Sequence, residues 1–168
     1  MTGVVRNIPS VLQSSQDLAT TANDEQQVTT DLQQQSTSTC AEADQVEADA
    51  LQVATDAGEL DAAAGDVETA LQELRGAVSK LQTDARALSS SESQAGKHIP
   101  RAAPSTAEIF GAVIKANATI SSALTTTNGS IDQVNADVAA AYRYAVEAYG
   151  AGSCGVAAEP PVPNPHIS

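Results

Sequence analysis

The segment LDAAAGDVETALQELRGAVSKLQTDARAL places its larger apolar residues at Leu60, Val67, Leu74, Leu81 and Leu88. A second row falls at Ala64, Leu71, Val78 and Ala85. This alternating four-three spacing is the seam of packed helices, a stripe that cannot bury itself. The partner stripe must lie in the same chain, in a second copy or in a different protein. Counting back, the phase continues through Ala57, Val53, Ala50, Val46 and Ala43 to Leu32, interrupted by Thr39 and Ser36. Thr39 and Glu42 form a capping-box pattern, a signal for a helix start. The phase and the cap leave open whether one helix runs through or a break falls at residues 36–39.

A second stripe in the same rhythm occupies Val113, Ile120, Leu124, Ile131, Val134 and Val138, and continues through Ala141, Ala145 and Ala148. Asn117 and Thr127 fill its remaining positions. Ser105 and Glu108, directly after Pro104, open this helix. Asn128-Gly129 is a turn signal, but the phase crosses it unchanged, so the spacing predicts one helix. Gly150-Ala151-Gly152 stops it. A weaker stripe at Val11, Leu18, Ala22, Val28 and Leu32 follows Pro9-Ser10, with Gln13 completing a cap. The predicted helices therefore span about 9–35, 39–92 and 105–150, with a Ser-, Gly- and Pro-containing loop at 93–104. Residues 1–155 form one helical bundle domain. Residues 156–168, rich in Pro and without periodicity, read as a disordered tail. The fold class is all-α, an elongated antiparallel helical hairpin with an additional N-terminal helix. A 45-residue helix is about 67 Å long, which makes the bundle a rod. The Val113–Ala148 stripe covers much of the opening seam and leaves the stretch from Ile8 to Leu32 unassigned.

The chain has no Trp, one Phe and three Tyr. Large aromatics dominate thick cores, so Ala, Val and Leu must do the burying here, which suits closely spaced helices. Gly65 and Gly76 lie off the seam rows, either permitting close approach or simply tolerated. The net charge is −13. Fourteen acids lie between Asp17 and Glu73 with no Lys or Arg among them. Such a surface repels phosphate and argues against nucleic acid; it is either a solvated helix face or one that docks on a basic partner. No apolar run is long enough for a transmembrane segment, and the N-terminus lacks the apolar core of a conventional signal peptide. Cys40 and Cys154 fall in near register across an antiparallel hairpin, both at the end opposite the loop. A disulfide there would staple the open end and contribute about 4–5 kcal/mol by the chain-entropy model, and would imply an oxidising compartment. The alternative is two free thiols in a cytoplasmic protein.

No catalytic constellation is expected. His98 and His166 are the only histidines, one in the loop and one in the tail. No zinc spacing, calcium loop or Gly-rich phosphate loop occurs. The sequons at Asn117 and Asn128 fall within the predicted helix and are discounted as chance matches. No cofactor, metal or small-molecule substrate is predicted. Tyr142, Tyr144 and Tyr149 cluster near the last helix end, either capping the bundle or forming a contact patch.

The segment ALTTTNGSIDQVNADVAAAYRYAVEAYG, Ala123 to Gly150, resembles the second helix of actinobacterial type VII (ESX) secretion substrates of the WXG100-like group. The acidic, Ala/Ser/Thr/Gln-rich composition and hairpin architecture are similar as well. The chain departs from that group in two marks. It has no Trp-X-Gly turn, and Tyr142, Tyr144 and Tyr149 are followed four residues on by Val146, Ala148 and Ser153 instead of an acid. The resemblance implies a non-enzymatic protein-interaction module, secreted or at the cell surface, acting as a homo- or heterodimer, with a partner carrying the export signal. A structural rod, of phage or cell surface, is the alternative.

Overall fold

The computed structural model describes residues 2–34, 39–95 and 106–168, with side chains from residues 8–34, 39–91 and 107–168. Three helices follow one another: α1 (Thr2–Gln33), α2 (Cys40–Ala95) and α3 (Thr106–Gly152). At 1.5 Å per residue α2 alone is about 84 Å long. The fold is all-α, and each helix packs on both others. Tyr149 of α3 meets Asp44 of α2, whereas Gln133 of α3 meets Ala22 of α1. Together with Cys40–Cys154 at one end, these contacts make α3 parallel to α1 and antiparallel to α2.

The buried positions of α2 keep the four-three rhythm from Ala43 to Ala85. Leu60, Val67, Leu71, Leu74, Val78 and Leu81 are buried, and Leu88 is half-buried where the seam runs out. On α3, Val113, Ile120, Ile131, Val134 and Val138 are buried, with Leu124 half-buried beside them. The buried stripe of α3 is broader, taking in Ser130 with Ile131, Asp137 with Val138 and Ala141 with Tyr142. A helix touched on two flanks needs a wider apolar face than a two-helix seam. Small residues supply much of it, so the helices can approach closely without aromatic spacers.

Helix α1 ends at Gln33 and α2 begins at Cys40, next to Thr39; Ser36 lies outside the described residues. Thr39 caps α2 as its spacing predicts: its N–H donates to Glu42 Oε2 (2.9 Å), and the Glu42 N–H donates to Thr39 Oγ1 (3.3 Å). This reciprocal pair satisfies two donors that the first helical turn leaves free. Helix α1 starts at Thr2, not at Pro9, which lies inside it. Pro costs one donor and leaves the carbonyl four residues earlier without its helical partner, but does not end the helix. The helix α2 continues to Ala95, past the expected end; the rest of the expected loop lies outside the described residues.

The stripe of α1 differs from the expectation at its centre. Val28 is 45% exposed, while Ser15, Glu25 and Thr29 are buried with Val11, Leu18, Ala22 and Leu32. Residues 11, 15, 18, 22, 25, 29 and 32 keep a strict four-three rhythm. Register therefore overrides side-chain polarity: turning Val28 inward would turn Leu18 and Leu32 out. The cost falls on Glu25, which is only 5% exposed and has neither carboxylate oxygen hydrogen-bonded. Burial, with Asp56 of α2 and Asp137 of α3 nearby, raises its pKa from the ordinary 4.5 to about 7. Burial also raises Asp137. A raised carboxyl binds its proton more tightly when folded, so its contribution favours the folded state below pH 4.5. That advantage is lost as pH climbs through about 7. The penalty at pH 8 is about 3 kcal/mol for Glu25. Thermal melts should show higher stability at pH 5 than at pH 8, and Glu25→Gln should raise stability at pH 8 and flatten the profile. An unchanged profile in that variant would show that Glu25 is not the group responsible.

Candidate functional site

The end of α3 determines where the cysteine lands. Ser153 takes a left-handed conformation (φ 53°). Its N–H donates to the Gly150 carbonyl (3.3 Å), and the Cys154 N–H to the Tyr149 carbonyl (3.0 Å). This is a Schellman motif, with Ser in the position usually taken by Gly. It folds Cys154 back along α3, where it is joined to Cys40 at the start of α2, Cα–Cα 5.3 Å. A Cβ on Gly152 would collide with Cys154 Sγ, so the approach requires glycine there.

Beside the disulfide, the Tyr149 hydroxyl lies 2.8 Å from Asp44 Oδ1 and 2.7 Å from Glu47 Oε2 and donates to one at a time. Hydrogen bonding to both carboxylates raises its pKa, because losing the proton would leave three negative groups together. Glu47 also accepts from the Ala158 N–H through Oε1 (2.7 Å). The three tyrosines do not form one patch. Tyr142 is buried in the core, Tyr149 is held by these acids, and Tyr144 lies under the Arg143 guanidinium, 5.1 Å from its ring centre. Tyr144, two residues from Tyr142 and five from Tyr149, lies on the opposite side of the helix from both.

From this end the chain turns back. Residues 155–168 have no regular secondary structure, yet they are bonded along α2 and α3 instead of standing free. Expected as a disordered tail, they form a strap. The Asn164 N–H donates to Asn135 Oδ1 (2.8 Å), and Asn135 Nδ2 donates to the Asn164 carbonyl (3.0 Å). Asn128 repeats the pattern seven residues away: its Oδ1 accepts from the Ile167 N–H (3.0 Å), and its Nδ2 donates to the Ile167 carbonyl (3.2 Å). The Asn164 side chain donates in turn to the Ala57 carbonyl of α2 (2.8 Å). His166 Nε2 lies 2.7 Å from Asp132 Oδ1. Beyond them, the Ser168 N–H and hydroxyl donate to Glu68 Oε1, and Arg75 Nη1 donates to the Ser168 carbonyl. These bonds from Ser168 lower the Glu68 pKa.

Extended backbone lacks internal hydrogen bonds; here the bundle's side chains supply them. Asn128 was legible only as a turn or sequon residue, and Asn135 carried no signal. Their seven-residue spacing, which places both on one helix face, is the clue in the sequence. Between the strap and the helices a cavity of about 310 Å³ remains. A second groove, of about 380 Å³, runs between α1 and α2 and is edged by Asp24, Asp56 and Glu59. Among the described residues no cluster of His, Cys, Asp and Glu could hold a metal ion.

No family model, no curated protein and no solved structure matches the chain.

Replacing both cysteines by Ser should lower stability by about 4–5 kcal/mol, the chain-entropy value for so long a loop. Ser153→Gly should raise it by about 1 kcal/mol by relieving the left-handed turn. Denaturant titration of the three proteins measures both.

Proposed function

We propose that the protein is a non-enzymatic interaction module, exported as a folded bundle in the manner of type VII secretion substrates and working with a protein partner. The observation that carries this reading is the pairing of a disulfide-closed bundle end with a long acidic stretch, free of Lys and Arg from Asn7 to Leu74, on most of α1 and the first half of α2. A disulfide persists in oxidising compartments. Among the described residues no helix is long and apolar enough to cross a membrane. A surface of one sign steers and selects a partner of the other, so the partner on this face is a basic protein surface. The resemblance of Ala123–Gly150 to type VII substrates supplies the route, and a partner bearing the export signal supplies what Tyr142, Tyr144 and Tyr149 lack. A homo- or heterodimer is the working form.

The length of α2 favours a second reading, a structural rod that spaces other components. The two readings differ in where the protein goes. Expressed in an actinobacterial host, it should accumulate in the culture filtrate with its cysteines joined, and this should stop when the type VII ATPase is deleted. Retention in the cells of both strains, with both thiols free, would refute export.

A further inference from the structure

The strap is held at two points through its backbone, beside the side-chain bonds of Asn164, His166 and Ser168 and the packing of Ile167 on the core. Asn128 and Asn135 each grip one residue of the strap by both backbone groups, the N–H and the carbonyl. An amide used in this way reads the backbone of an extended chain and is indifferent to the residue that bears it. The spacing fits that use. Seven residues of helix advance about 10.5 Å, and the three residues from Asn164 to Ile167 advance about 9.3 Å as polyproline II. Any extended segment running antiparallel to α3 meets both asparagines in the same register.

The strap itself fits the groove poorly. Beneath Pro160–Pro163 the cavity of about 310 Å³ is walled by Ala54, Ala57, Gly58, Val138 and Ala139. Val162, at its rim, is 88% exposed. An apolar side chain thus stands in water above an unfilled apolar space, which forfeits the dispersion and burial that filling it would give. The strap keeps its place through its bonds to Asn128 and Asn135 and through its tether. Cys154 is pinned to α2, Gly155 makes the turn at φ 124°, and the effective concentration of a tail on so short a tether is in the millimolar range.

We propose that the α2–α3 groove is a binding site for an extended, proline-containing segment of a partner protein, bearing a larger apolar residue over the cavity. The chain's own strap is the resident occupant that this segment displaces. The inference rests on the reading of the chain as an interaction module, and it is independent of export. Loss of the binding described next would leave the secretion experiment unaffected.

The probe is a fluorescent peptide with the sequence of residues 157–168, followed by anisotropy against full-length protein. In one variant the strap is loosened by Asn164→Ala with Ile167→Pro, which removes the side-chain bond to Ala57 and the N–H read by Asn128. The peptide should bind this variant about tenfold more tightly than the unaltered chain, since the competitor is weakened. Adding Asn135→Asp, which keeps the shape but loses the donor, should weaken binding about fivefold or more. A peptide with Leu in place of Val162 should bind the unaltered chain several-fold better than the native sequence, about the effect of one added buried methylene. Circular dichroism checks that each variant keeps its helices, and Asn128→Asp gives an independent second variant. Equal affinity for loosened and unaltered chains, or indifference to both asparagine variants, would overturn the proposal. A dimer formed by exchange of straps between two copies, seen by light scattering and abolished by Asn135→Asp, would overturn the assignment to a different partner.

Discussion

Every helix of this protein presents a stripe in four-three rhythm, and the three stripes close on one another. That shared register is the constraint on which the rest depends. With no Trp and one Phe, the chain has few bulky side chains with which to fill gaps, so it must bring its helices close. Ala43, Ala50, Ala57, Ala64 and Ala85 of α2 and Ala116, Ala123, Ala141, Ala145 and Ala148 of α3 belong to one buried core. A core of small residues gains little from each contact and depends on many repeated in phase. Slipping one helix by a residue would rotate its whole stripe away.

The same constraint explains the buried polar groups. Glu25 and Thr29 lie in the α1 seam because the rhythm set by Val11, Leu18, Ala22 and Leu32 places them there. Their unpaired oxygens, with those of Thr127 and Asp137, are local conflicts that the collective register outweighs. Buried polar groups of this kind weaken the middle of an interface while leaving its ends apolar. The α2–α3 seam has an uninterrupted apolar row on its α2 side, from Leu60 to Leu81, and the disulfide at its end.

What could be read in the sequence follows from how local each signal is. The stripe of α2, most of the stripe of α3, the Thr39–Glu42 cap and the stop at Gly150–Gly152 depend on neighbours within one turn, and they were legible; on α3 the buried row takes Ala116 and Ala123, while Asn117, expected on the seam, is exposed. The continuity of α3 across Asn128-Gly129 was legible because a phase kept from Val113 to Ala148, about ten turns, outvotes one dipeptide. The pairing of Cys40 with Cys154 followed from hairpin arithmetic. Val28 was misassigned because hydrophobicity was allowed to outweigh phase in a weak stripe. The strap was misread for a different reason. Absence of periodicity excludes a helix or strand that buries its own face, but says nothing about a segment whose partners are side chains elsewhere. Asn128, Asn135 and Glu68 satisfy the backbone of Asn164, Ile167 and Ser168 from far along the chain, and only the assembled fold brings them together. The tyrosines were similarly grouped by proximity in sequence and separated by the helices on either side.

The central claim is that the C-terminal segment is part of the folded structure, held by the amides of Asn128 and Asn135 in the groove between α2 and α3. Amide hydrogen exchange, resolved by residue, tests it most directly. The account predicts that the N–H groups of Asn164 and Ile167 exchange at least about a hundredfold more slowly than in a free peptide, while that of Val162, which has no partner among the described residues, exchanges at nearly the free rate. Exchange of all three at the free-peptide rate, with the helices still protected, would contradict it.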